Sequence, residues 1–181
     1  MIRYLYLLAL LCTLVACQEV SFPEPQPRGI EAAREIPAPL RGQYLARESD
    51  GSGGDTITVE AWGYHLRDKD DKDWLGQGRL SDSLVVKAHQ NYYFVNFRSS
   101  DQWVLRVIKR LPNGDLHFMG LDVEDNENRK TLLKKLSKYG PVKEIKRDQD
   151  TYYQINPSAA QLMEIIKEGH FKKETLERIG N

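Results

Sequence analysis

The sequence predicts an α+β protein in which an antiparallel β-meander curls into a small barrel or half-barrel and two to three helices follow in the C-terminal half. Between residues 40 and 121, short segments rich in β-branched and aromatic residues alternate apolar with polar positions, which is typical of strands. From residue 128 onwards the apolar spacing changes to a helical period. The chain has 181 residues and an ordinary globular composition, so we expect one compact core.

The meander is predicted from alternation and from turn residues. The clearest strand places Ile57 and Val59 on one face and Thr56 and Thr58 on the other. Asn113-Gly114 is a strong signal for a hairpin between the last two strands of the meander. The predicted strands span residues 40–47, 55–62, 83–89, 91–98, 102–109 and 114–121, with two later ones at 142–146 and 151–155.

The helices are predicted in the last third of the chain. A leucine stripe indicates a helix over residues 128–139, which stops at Gly140-Pro141. Asn156 can cap a second helix that begins at Pro157 and ends near residue 169. The apolar spacing of residues 171–179 suits a short final helix.

The N-terminus has the pattern of an export signal. Arg3 precedes an uncharged, mostly aliphatic run over residues 4–16, which is too short for the roughly 20 apolar residues of a membrane-spanning helix. Leu14-Val15-Ala16-Cys17 resembles the lipobox of bacterial lipoproteins. The resemblance implies cleavage before Cys17 and a diacylglycerol on its sulfur, which would anchor the protein to a membrane.

This resemblance divides the chain into three parts and gives it a location. Residues 1–16 are expected to be the signal peptide, residues 17–39 a lipidated N-terminus with a proline-rich tether, and residues 40–181 a single globular domain. An Asp after the lipidated Cys would resemble the inner-membrane retention signal of some Gram-negative lipoproteins. Because Gln18 stands there instead, the outer membrane is favoured within the cell envelope.

Composition and motifs exclude several function classes. The chain carries 26 basic and 26 acidic residues, so no overall field attracts nucleic acid. Removal of the leader would leave Cys17 as the one cysteine, which excludes a disulfide framework. No catalytic or cofactor motif is present, so we expect a non-enzymatic envelope lipoprotein without a cofactor, whose domain contacts a protein partner.

Two alternatives remain open. Gly42-Gln43-Tyr44 is similar to the Gly-x-Trp opening of lipocalin-like barrels, with tyrosine in the place of tryptophan, and this resemblance implies a barrel shape but transfers no binding residue. A barrel that binds a small ligand or a lipid would enclose a cavity lined by Tyr44, Tyr93, Trp103 or Phe118. A hydrolase assembled across strands would instead require two or more histidines to converge with an acidic group, from among His65, His89 and His117.

Two charged groups suggest surface roles. Asp71, Asp73 and Asp82 fall at about positions 1, 3 and 12 of an EF-hand loop and are weak calcium candidates. A solvated loop is the alternative, because Leu75 occupies a ligand position. A row of lysines at helical spacing suits contact with an anionic surface, or else a solvated helix face, and consists of Lys130, Lys134 and Lys138.

Overall fold

A computed structural model describes residues 18–47, 54–67, 76–123, 126–148 and 150–180, which form one twelve-stranded sheet and two α-helices. Most of the strand pairs are antiparallel, and one, between the first strand and the eleventh, is parallel. The predicted α+β class is therefore confirmed. The strands are β1 (Gln18–Phe22), β2 (Gly42–Arg47), β3 (Gly54–Glu60), β4 (Gly63–Arg67), β5 (Gly76–Arg79), β6 (Leu84–His89), β7 (Tyr92–Ser99), β8 (Gln102–Arg110), β9 (Leu116–Gly120), β10 (Lys143–Arg147), β11 (Asp150–Gln154) and β12 (Lys172–Gly180).

Both predicted long helices are present. The first is α1 (Asn126–Leu136), which continues into a 3-10 turn at Ser137–Tyr139. The second is α2 (Ala159–Lys167), whose cap is Ser158 rather than the predicted Asn156. The Ser158 hydroxyl accepts from the Gln161 backbone N–H, and the Gln161 side chain accepts from the Ser158 N–H, which together form a capping box.

The sheet is open rather than closed. β12 lies between β9 and β2, so the strands from β8 to β5 are paired in the order β8-β9-β12-β2-β3-β4-β5. β8 also pairs with β7, which pairs with β6. Within the described residues β5 and β6 have no ladder between them, and only an isolated bridge between Ser81 and Leu84 connects that corner. Of the predicted small barrel or half-barrel, the small barrel is therefore not confirmed.

The sheet has an apolar core on each face. Along β8, Leu105 and Val107 point to one face and Ile108 to the other, as strand alternation requires. The helices cover the first face and form the helix-side core, which consists of Val20, Phe22, Phe94, Leu105, Val107, Met119, Leu121, Val123, Leu132, Leu136, Ile155, Leu162, Met163, Ile165, Ile166 and Phe171. The opposite face curves around the inner core, which consists of Ile36, Leu40, Tyr44, Leu84, Val86, Val95, Leu116 and Leu176.

The segment expected to be an extended tether packs against the sheet instead. β1 pairs in parallel with β11 and antiparallel with β8, and Phe22 is buried in the helix-side core. Farther along, Gln26 and Pro27 are buried, and the Ala33 N–H donates to the Val86 carbonyl. The proline-rich composition indicated a stalk, but alternate residues of β1 are apolar enough to pair within a sheet. Residues 18–39 therefore belong to the fold.

The predicted final helix is wrong, because residues 172–180 form β12. Lys172–Leu176 pairs with β9, while Leu176–Gly180 pairs with β2 across an irregularity near Arg178. The apolar residues of this segment also fit a helical period, but two available strand edges outweigh local propensity. Of these residues, Leu176 is buried in the inner core and Ile179 is exposed. The sequence interpretation also omitted β4 and β5, two short strands beside residues 68–75.

Candidate ligand site

The inner core leaves an apolar cavity of about 200 Å³. The fourteen side chains around it carry no charge, and one hydroxyl, that of Tyr64, belongs to the lining residues. They come from seven strands and the segment before β2, and they are Ile36, Leu40, Ile57, Val59, Tyr64, Leu66, Leu84, Val86, Val95, Phe97, Ile108, Leu116, Phe118 and Leu176.

The segment before β2 closes one side of this cavity. It runs from the edge of β6, where the Ala33 N–H donates to Val86, to the turn after β3, where the Ile36 N–H donates to the Ala61 carbonyl at 2.8 Å. A 3-10 turn at Ala38–Leu40 then places Leu40 in the inner core. The segment of residues 33–36 thus connects the edge of β6 to the turn between β3 and β4.

Tyrosine hydroxyls next to the cavity are kept neutral. Burial raises the pKa of Tyr64, whose ring meets Phe97 edge-on with centroids 6.3 Å apart. Tyr44 is fully buried beside the cavity, where its hydroxyl donates to the Leu40 carbonyl and accepts from Arg178, each at 3.0 Å. Burial raises the pKa of Tyr44, and the Arg178 guanidinium opposes that effect. At neutral pH both groups are therefore uncharged phenols.

A charged cleft of about 310 Å³ lies on the same face of the sheet. Its lining includes Phe118, which also lines the cavity. Phe118 pairs with Ile108 on β8, which lines the cavity, and with Glu174 on β12, which lines the cleft. The cleft is lined by Gln18, Glu19, Arg106, Phe118, Gly120, Leu121, Asp122, Val123, Lys172 and Glu174.

Two ion pairs lie at this cleft. Arg106 Nη2 donates to Glu19 Oε1 at 2.6 Å, and these side chains are only 26% and 21% exposed, so the pair is partly desolvated. Lys172 Nζ lies 3.1 Å from Asp122 Oδ2 in a more exposed pair. Arg106 packs over Gly120, where a Cβ would lie 3.4 Å from Arg106 Cδ, in van der Waals contact. The cleft thus offers both signs of charge next to an apolar cavity.

The structure separates the four aromatic residues that were predicted to line a cavity. Phe118 lines it, and Tyr44 is buried in the core beside it. Tyr93 is partly buried against the inner core but does not line the cavity. Trp103 lies on the opposite face of the sheet, against the helix-side core, because it shares its face with Leu105 and Val107. Most of the lining is aliphatic, and its signal in the sequence was the alternation of the strands.

The histidines of the alternative hydrolase lie on different strands. His65 on β4 is 3.6 Å from Glu60 and stacks on Trp62, His89 is on β6, and His117 is on β9. These three strands do not pair with one another in the described sheet. In the part of the chain that the structure describes, no group of three or more His, Cys, Asp or Glu side chains is placed to hold a metal ion.

The remaining predicted residues give no site among the described residues. Asp82 is exposed in the turn before β6, while Asp71 and Asp73 lie outside the described ranges, as does Cys17. Lys130, Lys134 and Lys138 are exposed on α1 and the turn after it.

Comparison with protein families, with curated proteins and with solved structures gave no match for the chain. Neither α1 nor α2, the helices of the described ranges, is long and apolar enough to cross a membrane.

Proposed function

We propose that this chain is a lipid-anchored lipoprotein of the bacterial envelope whose domain binds a small apolar molecule, with the curved sheet acting as a half-barrel around it. The observation that carries the binding function is the cavity of about 200 Å³ with an uncharged lining. The lipobox-like Leu14-Val15-Ala16-Cys17 supports the anchor. No enzymatic step is part of this proposal.

The size of the cavity sets the size of its occupant. An engineered apolar cavity of about 150 Å³ stays dry and takes up benzene, so this one suits a hydrocarbon of about six to eight carbons. Burial of six methylenes contributes roughly 5 kcal/mol at about 0.8 kcal/mol each. A dissociation constant of about 0.1–1 mM is therefore expected for a simple alkyl probe.

Ligand binding ranks above the protein-contact function that the sequence favoured. Protein interfaces usually have an apolar, aromatic-rich centre, and larger exposed apolar patches mark them. Among the described side chains, Ile179 is the one large hydrophobic residue that is exposed. The apolar surface that remains unfilled is inside the curved sheet instead, which favours a small ligand.

The test is to titrate residues 17–181, carrying Cys17→Ser, with n-octanol and to record amide NMR spectra. This chain contains every described element. We expect octanol to shift the amide resonances of the cavity residues. In Val86→Phe, whose larger ring fills the cavity, we expect these shifts to be absent. Val85→Phe is the matched control, since its side chain points to the other face of β6.

A second filling variant, Ile57→Phe, covers the case in which Val86→Phe does not fold, because Ile57 is only partly buried. The proposal is overturned if octanol shifts no cavity residue in the wild-type chain. It is also overturned if a folded, filled variant binds octanol as well as Val85→Phe does.

A further inference from the structure

The surface of α1 and of the turn after it carries a concentrated positive charge. Six of the 26 basic residues of the chain lie between positions 128 and 143, and none of its 26 acidic residues does. The rest of the chain therefore has 20 basic against 26 acidic residues, which is a net charge of −6. The balanced total charge is the sum of this basic stretch and an acidic remainder.

Four lysines of this stretch are exposed on one side of α1 and the following turn. We call them the basic face, which consists of Lys130, Lys134, Lys135 and Lys138. Leu132 and Leu136, on the other side of the helix, are buried in the helix-side core. Within the described ranges, none of the four ammonium groups forms an ion pair with a carboxylate. The basic face is therefore turned to solvent with its charges uncompensated.

This arrangement weakens the helix instead of stabilising it. Lys130 and Lys134 are four residues apart, and like charges at this spacing repel each other across one helical turn. A solvated helix face commonly places glutamate four residues from lysine, which gives attraction instead. The helix dipole favours cations in the last turn of α1, but not at Lys130, one turn earlier. An anionic partner would remove the repulsion.

We infer that the basic face is a docking surface for the headgroups of an anionic phospholipid bilayer. A lysine ammonium is a point charge on a flexible stem, so it can follow phosphates that are not fixed in position. Nucleic acid is instead bound largely through arginine and through stacking on aromatic rings. α1 contains no aromatic residue, and its arginine, Arg129, lies over Tyr153 and donates to Gln18. The chemistry of the basic face thus favours a bilayer.

This docking is electrostatic and peripheral. The apolar stripe of α1, with Leu132 and Leu136, faces the helix-side core, so it is not available to enter a bilayer. The attraction comes from the lysines, each of which strengthens partitioning about fivefold near an anionic surface. The contact uses neither the cavity nor Cys17, and it is a second function beside those proposed above.

The experiment measures co-sedimentation of residues 17–181, carrying Cys17→Ser, with two kinds of vesicle. One kind is phosphatidylcholine alone, and the other contains equal parts of phosphatidylglycerol and phosphatidylcholine. At about 0.01 M salt, where the screening length is about 30 Å, we expect about 100-fold stronger partitioning into the anionic vesicles. Salt at about 1 M should release the protein, so membranes washed at that salt report the proposed anchor alone.

Two double variants assign the contact to the basic face. Lys130→Gln with Lys134→Gln should weaken partitioning into the anionic vesicles about 30-fold. Arg34→Gln with Arg110→Gln is the matched control, because it removes the same charge from two exposed residues in the segment before β2 and at the end of β8. We expect the control to change partitioning less than about threefold. All four residues are exposed, and amide NMR spectra check that both variants keep the fold.

Three results would overturn the inference. The first is equal binding to anionic and neutral vesicles, and the second is an equal loss of binding in the two double variants, which would mean that net charge alone acts. The third is a short single-stranded oligonucleotide that binds as tightly as the anionic vesicles at the same salt, since the basic face would then accept any polyanion. Binding of n-octanol in the cavity is measured without vesicles, so the proposed apolar-ligand function stands or fails separately.

Discussion

Asn96 is fully buried on β7, yet its side-chain amide is well satisfied. Its Oδ1 accepts from the Gln26 N–H at 2.7 Å, and its Nδ2 donates to the Gln26 carbonyl at 2.9 Å. Lys87 assists from β6, where its ammonium donates to the carbonyls of Pro25 and Pro27 and burial lowers its pKa. These contacts fasten the segment after β1 to the sheet.

At this scale the sequence could predict that strand residues would be buried, but not which polar ones. Asn96 and Gln26 are separated by 70 positions, and each reads as an ordinary surface residue in its own neighbourhood. The ion pair of the cleft is also formed by residues far apart in the sequence, since Arg106 and Glu19 are separated by 87 positions. Local pattern carries no information about such partners.

Replacement of Asn96 should therefore be costly. Asn96→Leu leaves the Gln26 N–H and carbonyl buried without partners, so we expect a loss of about 2–4 kcal/mol in the free energy of unfolding. Urea denaturation measures it. Asn91→Leu, in the exposed turn between β6 and β7, should change stability by less than about 0.5 kcal/mol. Equal midpoints for the two variants would show that the Asn96 contacts do not hold the segment.

At the scale of elements, those defined by local periodicity were predictable and those defined by distant pairing were not. The meander from β6 to β9 and both helices follow from alternation, turn residues and apolar stripes. β1 depends on β8 and β11, and β12 on β9 and β2, all far away in the chain. The prolines that follow β1 therefore suggested a tether, and the helical spacing within β12 suggested a helix.

The cap of α2 gives a test at this scale. Ser158→Ala removes the hydroxyl that accepts from the Gln161 N–H, and we expect a loss of about 1 kcal/mol in stability. Asn156→Ala is the control, because Asn156 is exposed and precedes the cap by two residues. Thermal and urea denaturation of both variants measure the difference. A larger loss for Asn156→Ala would favour the cap position that the sequence suggested.

For the whole molecule, the cavity arises from side chains of seven strands and one bridging segment. Alternation predicted that these residues face inwards, but the volume left between them depends on how far the sheet curves. This explains why Phe118 was found among four aromatic candidates, while the aliphatic majority and the charged cleft were not. A binding site made by the gap between elements has no motif of its own.

The proposed anchor would join this site to a membrane, and it is tested at Cys17. We expect Cys17→Ser to move the protein from the membrane to the soluble fraction and to abolish labelling by radioactive palmitate, because the serine hydroxyl does not replace the thiol in lipid transfer. Cys12→Ser, within the predicted leader, is the matched control and should keep both properties. A labelled, membrane-bound Cys17→Ser product would refute the anchor.

The same variant also tests whether the proposed lipidation site contributes to the stability of the domain. The described contacts of β1 are made by Gln18–Phe22, and we expect the domain of Cys17→Ser to melt at the wild-type temperature once both are in the same detergent. Membrane attachment would then depend on a residue that the fold does not need. Since β1 lies inside the sheet and Gln18 lines the charged cleft, the described fold begins one residue after the proposed lipidation site.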